Sequence, residues 1–161
     1  MKNIICIIVF GLLIVSCTTN KYLPKKYKTG EVEYFDIEKF EKNKNRFKEV
    51  LIDTEDMEFF QTYNKEWYGE FVTYYKKNYS IDKWFYPNGI IMERGKTYYP
   101  GGFKIGIWEY FDESGNLIKT EDMDKRYKVS YKQALRKVFW RYGFLKRNLK
   151  VEIGLDGWIF T

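Results

Sequence analysis

Between Trp67 and Lys119, short aromatic and β-branched runs alternate with turn residues, and no feature limits the possible folds more. The runs GEFVTYYKKN, DKWFYPNG, IIMERGKTYY and IGIWEYFDESGNLIK are too short and too densely punctuated for helices. Pro87-Asn88-Gly89 has the composition of a tight turn, because Pro presets the entry and Asn and Gly tolerate positive φ. Asp112 to Gly115 repeats that chemistry one unit later. The pattern predicts an antiparallel meander of hairpins.

The flanks extend this picture. The segment after Gly30 opens with an alternating EVEYF, and Asp36 then stands as N-cap to a short helix with Ile37 and Phe40 on one face. Asn43 to Asn45 should end that helix, and EVLID and MEFFQTY should follow as strands around a polar turn at Asp53 to Asp56. Near the C-terminus, Ser130 caps an expected helix over Tyr131 to Tyr142, with Gly143 as its stop. Ala134, Leu135, Val138, Phe139 and Tyr142 share one face, and Lys132, Arg136, Lys137 and Arg141 lie largely off it. Asp156-Gly157 between alternating apolar residues predicts a closing hairpin. The expected fold class is α+β: residues 31–124 form a short helix and β-hairpin meander, followed by a small helix–β-hairpin unit over 125–161.

The chain begins MKNIICIIVFGLLIVSC. One lysine precedes an unbroken apolar run of twelve residues, Ile4 to Val15. A membrane-spanning helix needs about twenty such residues, so the run reads as a secretory signal. Ile14-Val15-Ser16-Cys17 resembles the lipobox of bacterial lipoproteins. That resemblance implies cleavage after residue 16, a diacylglyceryl group on Cys17 and attachment to a membrane. Residues 17–30 would then be a lipidated, basic tether whose Lys21, Lys25, Lys26 and Lys28 could meet anionic headgroups. Thr18 stands where some sorting systems place an inner-membrane aspartate, which by resemblance favours the outer membrane, facing either the periplasm or the exterior.

A weak internal repeat runs through the meander. Gly69-x-Phe71-x-x-Tyr74 matches Gly106-x-Trp108-x-x-Phe111, and Trp84 to Ile91 echoes Tyr110 to Leu117. KIGIWEYFDESGNLIK resembles the variant MORN repeats, with Gly106, Trp108, Tyr110, Phe111, Gly115 and Leu117 in the motif positions. WFYPNGII is a second, shorter match. The resemblance covers about a third of the chain and implies an open β-meander scaffold of the kind found in bacterial lipoproteins and in some antitoxin-type proteins, without implying an activity. The C-terminal helix and hairpin faintly resemble the small α+β unit of PepSY-like domains.

Composition narrows the chemistry. The sequence has no histidine, and its two cysteines are Cys6, inside the signal, and Cys17. Neither a Ser-His-Asp triad nor a Cys-His pair can be assembled, and no disulfide framework or Cys/His metal site is expected. Glu121-Asp122-Met123-Asp124 with Asp112 and Asn116 lacks the ligand order of an EF-hand loop and reads as a solvated acidic turn. Glu66, Glu70, Glu93, Glu109 and Asp112 could supply a glycosidase pair, but spacing singles none out, and they read as solvent-facing partners of lysines. The expectation is a non-catalytic protein without metal or cofactor. The net charge of +6 and the basic-aromatic stretch KVFWRYGFLKRNLK could suit nucleic acid, but export argues against it and helical periodicity explains the stretch.

Aromatic residues make up 20% of the chain. Neighbours such as Tyr74-Tyr75, Tyr98-Tyr99 and Trp84-Phe85-Tyr86 cannot all face one side of a strand. Tyr74, Trp84, Tyr98 and Tyr99 are therefore the candidate binding surface, unless a helix covers the face that carries them. The first functional expectation is a lipid-anchored, cell-envelope interaction or scaffold module with a protein partner. The alternatives are a glycan-binding or glycan-acting protein, and an antitoxin-type or immunity partner.

Overall fold

Strands form where the alternating runs predict them. The structure, a computed structural model, describes residues 28–126, residues 129, 130, 133, 134, 136, 137 and 140, and the backbone of 151–154 and 157–160. Helix α1 spans Ile37–Asn43, and seven strands follow: β1 Glu49–Asp53, β2 Met57–Tyr63, β3 Tyr68–Tyr74, β4 Tyr79–Phe85, β5 Ile91–Tyr98, β6 Lys104–Phe111 and β7 Leu117–Asp122. They pair in sequence order as one antiparallel meander. Asp36 caps α1 by accepting from the Lys39 N–H at 2.9 Å, which satisfies one of the orphan amide donors of the first turn.

The repeat between Trp84–Ile91 and Tyr110–Leu117 is structural. Phe85 pairs with Ile91 and Phe111 with Leu117, each beside a register shift, and Gly89 and Gly115 take φ of 83° and 85° in the two turns. Such a conformation costs glycine little and other residues more. The other echo is not equivalent: Gly69 lies in a regular strand, where an added Cβ would sit 2.6 Å from Phe71, whereas Gly106 has φ of 64° and open space around it.

One face of the sheet is closed by the N-terminal strap, residues 28–36, and by α1. Phe35 and Phe40 come down onto Tyr68, Phe85, Ile91 and Phe111, all buried, with Phe35 stacked on Tyr68 at 4.7 Å. The strap is also bonded through its backbone: Phe35 N–H donates to Gly89 O at 2.8 Å, and Ile91 N–H donates to Glu33 O at 3.0 Å. EVEYF is thus an extended strap with a single bridge, Tyr34 to Ile90, and forms no full strand.

Next to this core the same face carries a row of charge. Register aligns Gln61, Glu70, Lys83, Arg94 and Glu109 across β2 to β6. Lys83 Nζ lies 3.2 Å from Glu70 and 3.0 Å from Glu33, and Arg94 Nε donates to Glu109 at 2.8 Å. Glu109 also accepts from the Gly30 N–H at 2.7 Å, and Arg94 Nη2 donates to Lys28 O at 3.0 Å. Burial pulls the Lys83 ammonium pKa down, but Glu70 and Glu33 outweigh it and leave the pKa raised. Glu70 and Glu109, read from sequence as solvent-facing, are instead half-buried and buried, because the strap lies over them.

Strands β8 Val151–Gly154 and β9 Gly157–Phe160 pair as the expected hairpin. Gln133, Ala134, Arg136, Lys137 and Trp140 are helical, and the Ala134 N–H donates to Ser130 O at 2.9 Å. The rest of the helix read over Tyr131 to Tyr142 and its Gly143 stop, the signal segment, Cys17 and most of the tether lie outside the described residues.

Candidate functional site

The opposite face of the meander carries the second half of every alternation. Leu51, Phe60, Phe71, Trp84, Trp108 and Tyr110 come from β1, β2, β3, β4 and β6 onto this face. The rings touch in sequence: Phe60–Phe71 at 6.0 Å, Phe71–Trp84 at 5.2 Å and Trp84–Trp108 at 5.7 Å between centroids. These separations are those of attractive edge-to-face and offset pairs. Phe60, Phe71, Trp84 and Tyr110 stay half-buried, and Leu51 at the free edge is exposed.

Gly95 keeps the row continuous. A Cβ there would meet Trp108 Cδ2 at 2.3 Å, so only a bare backbone lets the indole lie flat on β5. Trp108 is fully buried, and its Nε1–H donates to Lys96 O at 3.0 Å.

Cations gather at the β6 end of the row. Lys104 Nζ sits 3.8 Å from the Trp108 centroid, 5.3 Å from Tyr110 and 5.8 Å from Trp84, and donates to Glu93 at 2.7 Å. Lys119 and Arg126 share Glu121, at 2.7 and 2.5 Å, and these two donors hold the Glu121 carboxyl down at about 2. Asp82, buried on the same face, accepts from Ser80 Oγ at 2.5 Å; burial raises its pKa against the opposing hydrogen bonds from Ser80 and Thr97. Beside this cluster lies an open cleft of about 320 Å³, lined among the described residues by Phe103, Lys104, Tyr110, Met123 and Arg126.

The four residues read as one binding surface separate. Trp84 belongs to the ring row, while Tyr74 and Tyr98 occupy the strap-side face. Tyr98 is only 2% exposed, stacked on Phe103 at 4.9 Å, and so does not stand on a surface; Tyr99, the next residue, is 41% exposed and meets Tyr75 at 5.8 Å. Among the motif residues, Gly106 and Gly115 serve the backbone, Trp108 rivets the ring face and Phe111 the strap face. Tyr110 is half-buried in the cleft wall, and Leu117 is exposed on edge strand β7. Phe60, Lys104 and Arg126 are not singled out by sequence, and Phe71 only as a position of the internal repeat. An available signal was Gly95, an isolated glycine within a strand, which marks a close approach from another group.

Among the described residues no group of three His, Cys, Asp or Glu side chains could hold a metal ion. Among those residues, too, no helix is long and apolar enough to cross a membrane. The chain matches no family model, no curated protein and no solved structure.

Proposed function

We propose that this protein is a lipid-anchored, non-catalytic interaction module of the cell envelope that meets a protein partner through the ring face of its meander. The observation that carries this reading is the unbroken, partly exposed row from Phe60 to Trp84, each ring in contact with the next across the sheet and continued by Trp108 and Tyr110. Aromatic side chains on a stiff support lose little entropy on binding, which is why they dominate interface energetics. In this reading Cys17 is the lipid site, residues 1–16 the signal and residues 17–30 the tether.

The helix–hairpin segment over 125–161 is read as a second, small unit that makes the whole chain α+β. Its support is the Ser130 cap, where Ser130 Oγ accepts from the Gln133 N–H at 3.3 Å and the Ser130 N–H donates back to Gln133 Oε1 at 2.9 Å, and the β8–β9 pairing. A glycan as the bound partner is the second reading, favoured by the cation-lined cleft beside the rings.

The test is affinity capture from envelope extract with the chain from Thr18 onward, beside a Phe71→Ala, Trp84→Ala double variant and a Lys65→Ala control. The double variant should lose a defined partner at least about tenfold while retaining its far-ultraviolet dichroism. Equal recovery by a folded double variant would remove the ring face from the reading.

A further inference from the structure

The cleft at the β6 end of the ring row has its own chemistry. Phe103, Tyr110 and Met123 supply apolar walls, and Lys104 and Arg126 supply charge. Lys104, Lys119 and Arg126 stand here against Asp82, Glu93 and Glu121, and the turn that carries Arg126 adds Asp124, whose Oδ1 is buried, and the exposed Lys125, so formal charge alone gives no preference.

Exposure breaks the tie. The cation side chains are 35%, 57% and 64% exposed, whereas Glu93 and Glu121 are 21% and 23% exposed and Asp82 is buried. The carboxylates are drawn in and the positive groups turned out, so a ligand entering the cleft meets cations first. Close-range Coulomb terms decide such encounters more than net charge does.

The cations are also positioned in advance. Lys104 is fixed by Glu93 and by the faces of three rings, and one of its three N–H groups meets that carboxylate. Glu121 holds Lys119 and Arg126 together, so one can turn toward an incoming anion while the other keeps Glu121 paired. An ammonium and a guanidinium beside two aromatic rings fit a ligand with a carboxylate on one edge and a C–H face on the other. A pyranose bearing a carboxylate has that shape.

We propose that this cleft binds an acidic sugar residue of an envelope glycan, with Arg126 and Lys104 meeting its carboxylate and Tyr110 its C–H face. This rests on the reading of the ring face as a binding surface and names a ligand at its β6 end.

The experiment is calorimetric titration of the full-length chain in a sugar-free zwitterionic detergent with three probes: trigalacturonate, a neutral galactose trisaccharide, and acetate. Trigalacturonate should bind at least about tenfold more tightly than either of the others, and Arg126→Gln should remove about tenfold of that affinity. Arg126 lies on the surface, so this variant keeps the fold; Lys104→Met, which retains the aliphatic stem over Trp108, repeats the test from the other side of the cleft. Equal binding of the neutral trisaccharide would overturn the acidic class, and equal binding of acetate would reduce the site to a counter-ion position. Absence of binding by any probe would overturn the cleft as a glycan site. Phe71→Ala separates the two readings: it should weaken partner capture and leave trigalacturonate affinity unchanged. Arg126→Gln is the converse: retained capture with weakened trigalacturonate binding supports a cleft that acts apart from the ring row, and weakening of both would overturn that separation.

Discussion

The two faces of the same seven strands solve the problem of charge in opposite ways. On the strap side, Glu33, Glu70, Lys83, Arg94 and Glu109 are shut in, each held by partners brought from distant parts of the chain. On the ring side, the aromatics line the sheet and the cations stand outward over them. Buried ions must be matched group by group, because the desolvation they suffer is recovered only through complete pairing. Exposed ions over rings tolerate rearrangement. The first arrangement specifies a structure, and the second leaves a surface free to change partners.

The sharpest way to break the comparison is to remove one ion from each face. Arg94→Met should destabilise by about 3–5 kcal/mol in urea unfolding, since it strands Glu109 and Glu33 under the strap. Lys104→Met should cost well under half as much, its ion pair being partly solvated. Equal losses would mean that the faces are not different in kind.

A smaller effect sharpens the role of packing on the ring side. Gly95→Ala forces Trp108 off β5 and should cost about 1–3 kcal/mol, with a red-shifted tryptophan emission as the indole is lifted. An unchanged spectrum and melting point would show that the indole has room that the geometry denies it.

The smallest effect concerns acid. Glu121 titrates at about 2 in the folded chain, below its ordinary 4.5, so its ion pairs favour folding above the ordinary value and lose that contribution as pH falls through about 2. Carbon-detected NMR of the Glu121 carboxyl should therefore show a midpoint near 2. A midpoint near 4.5 would mean that Lys119 and Arg126 do not hold it. Asp82 should behave in the opposite sense: its raised pKa means that ionisation opposes folding, and the protein gains from its protonation as pH falls.

Much of the meander was legible in the residues. EVLID and MEFFQTY become strands with the bounds the runs imply, and Asp36 caps the helix that its neighbours call for. Local chemistry determines these features, so local reading reaches them. The division of Tyr98 from Tyr99 was likewise visible as alternation. Which side would be covered was not, because that depends on where the strap crosses. Glu33 meets Lys83 and Arg94 only after β4 and β5 have been laid in register, and no spacing in the sequence announces it. The ring row was missed for a related reason: Phe60, Phe71 and Trp84 are neighbours across strands, and their contact is a property of register.

The strap also sets how the molecule would carry mechanical load. A pull on the chain ahead of Lys28 would arrive first at the bonds to Arg94 and Glu109, on the interior strands β5 and β6, before it reached α1 or edge strand β1. Tension would be shared among several polar links at once, and the meander would not be peeled strand by strand from its end. Failure would begin with detachment of the strap, which uncovers the core beneath Phe35 while the seven-strand ladder is still intact.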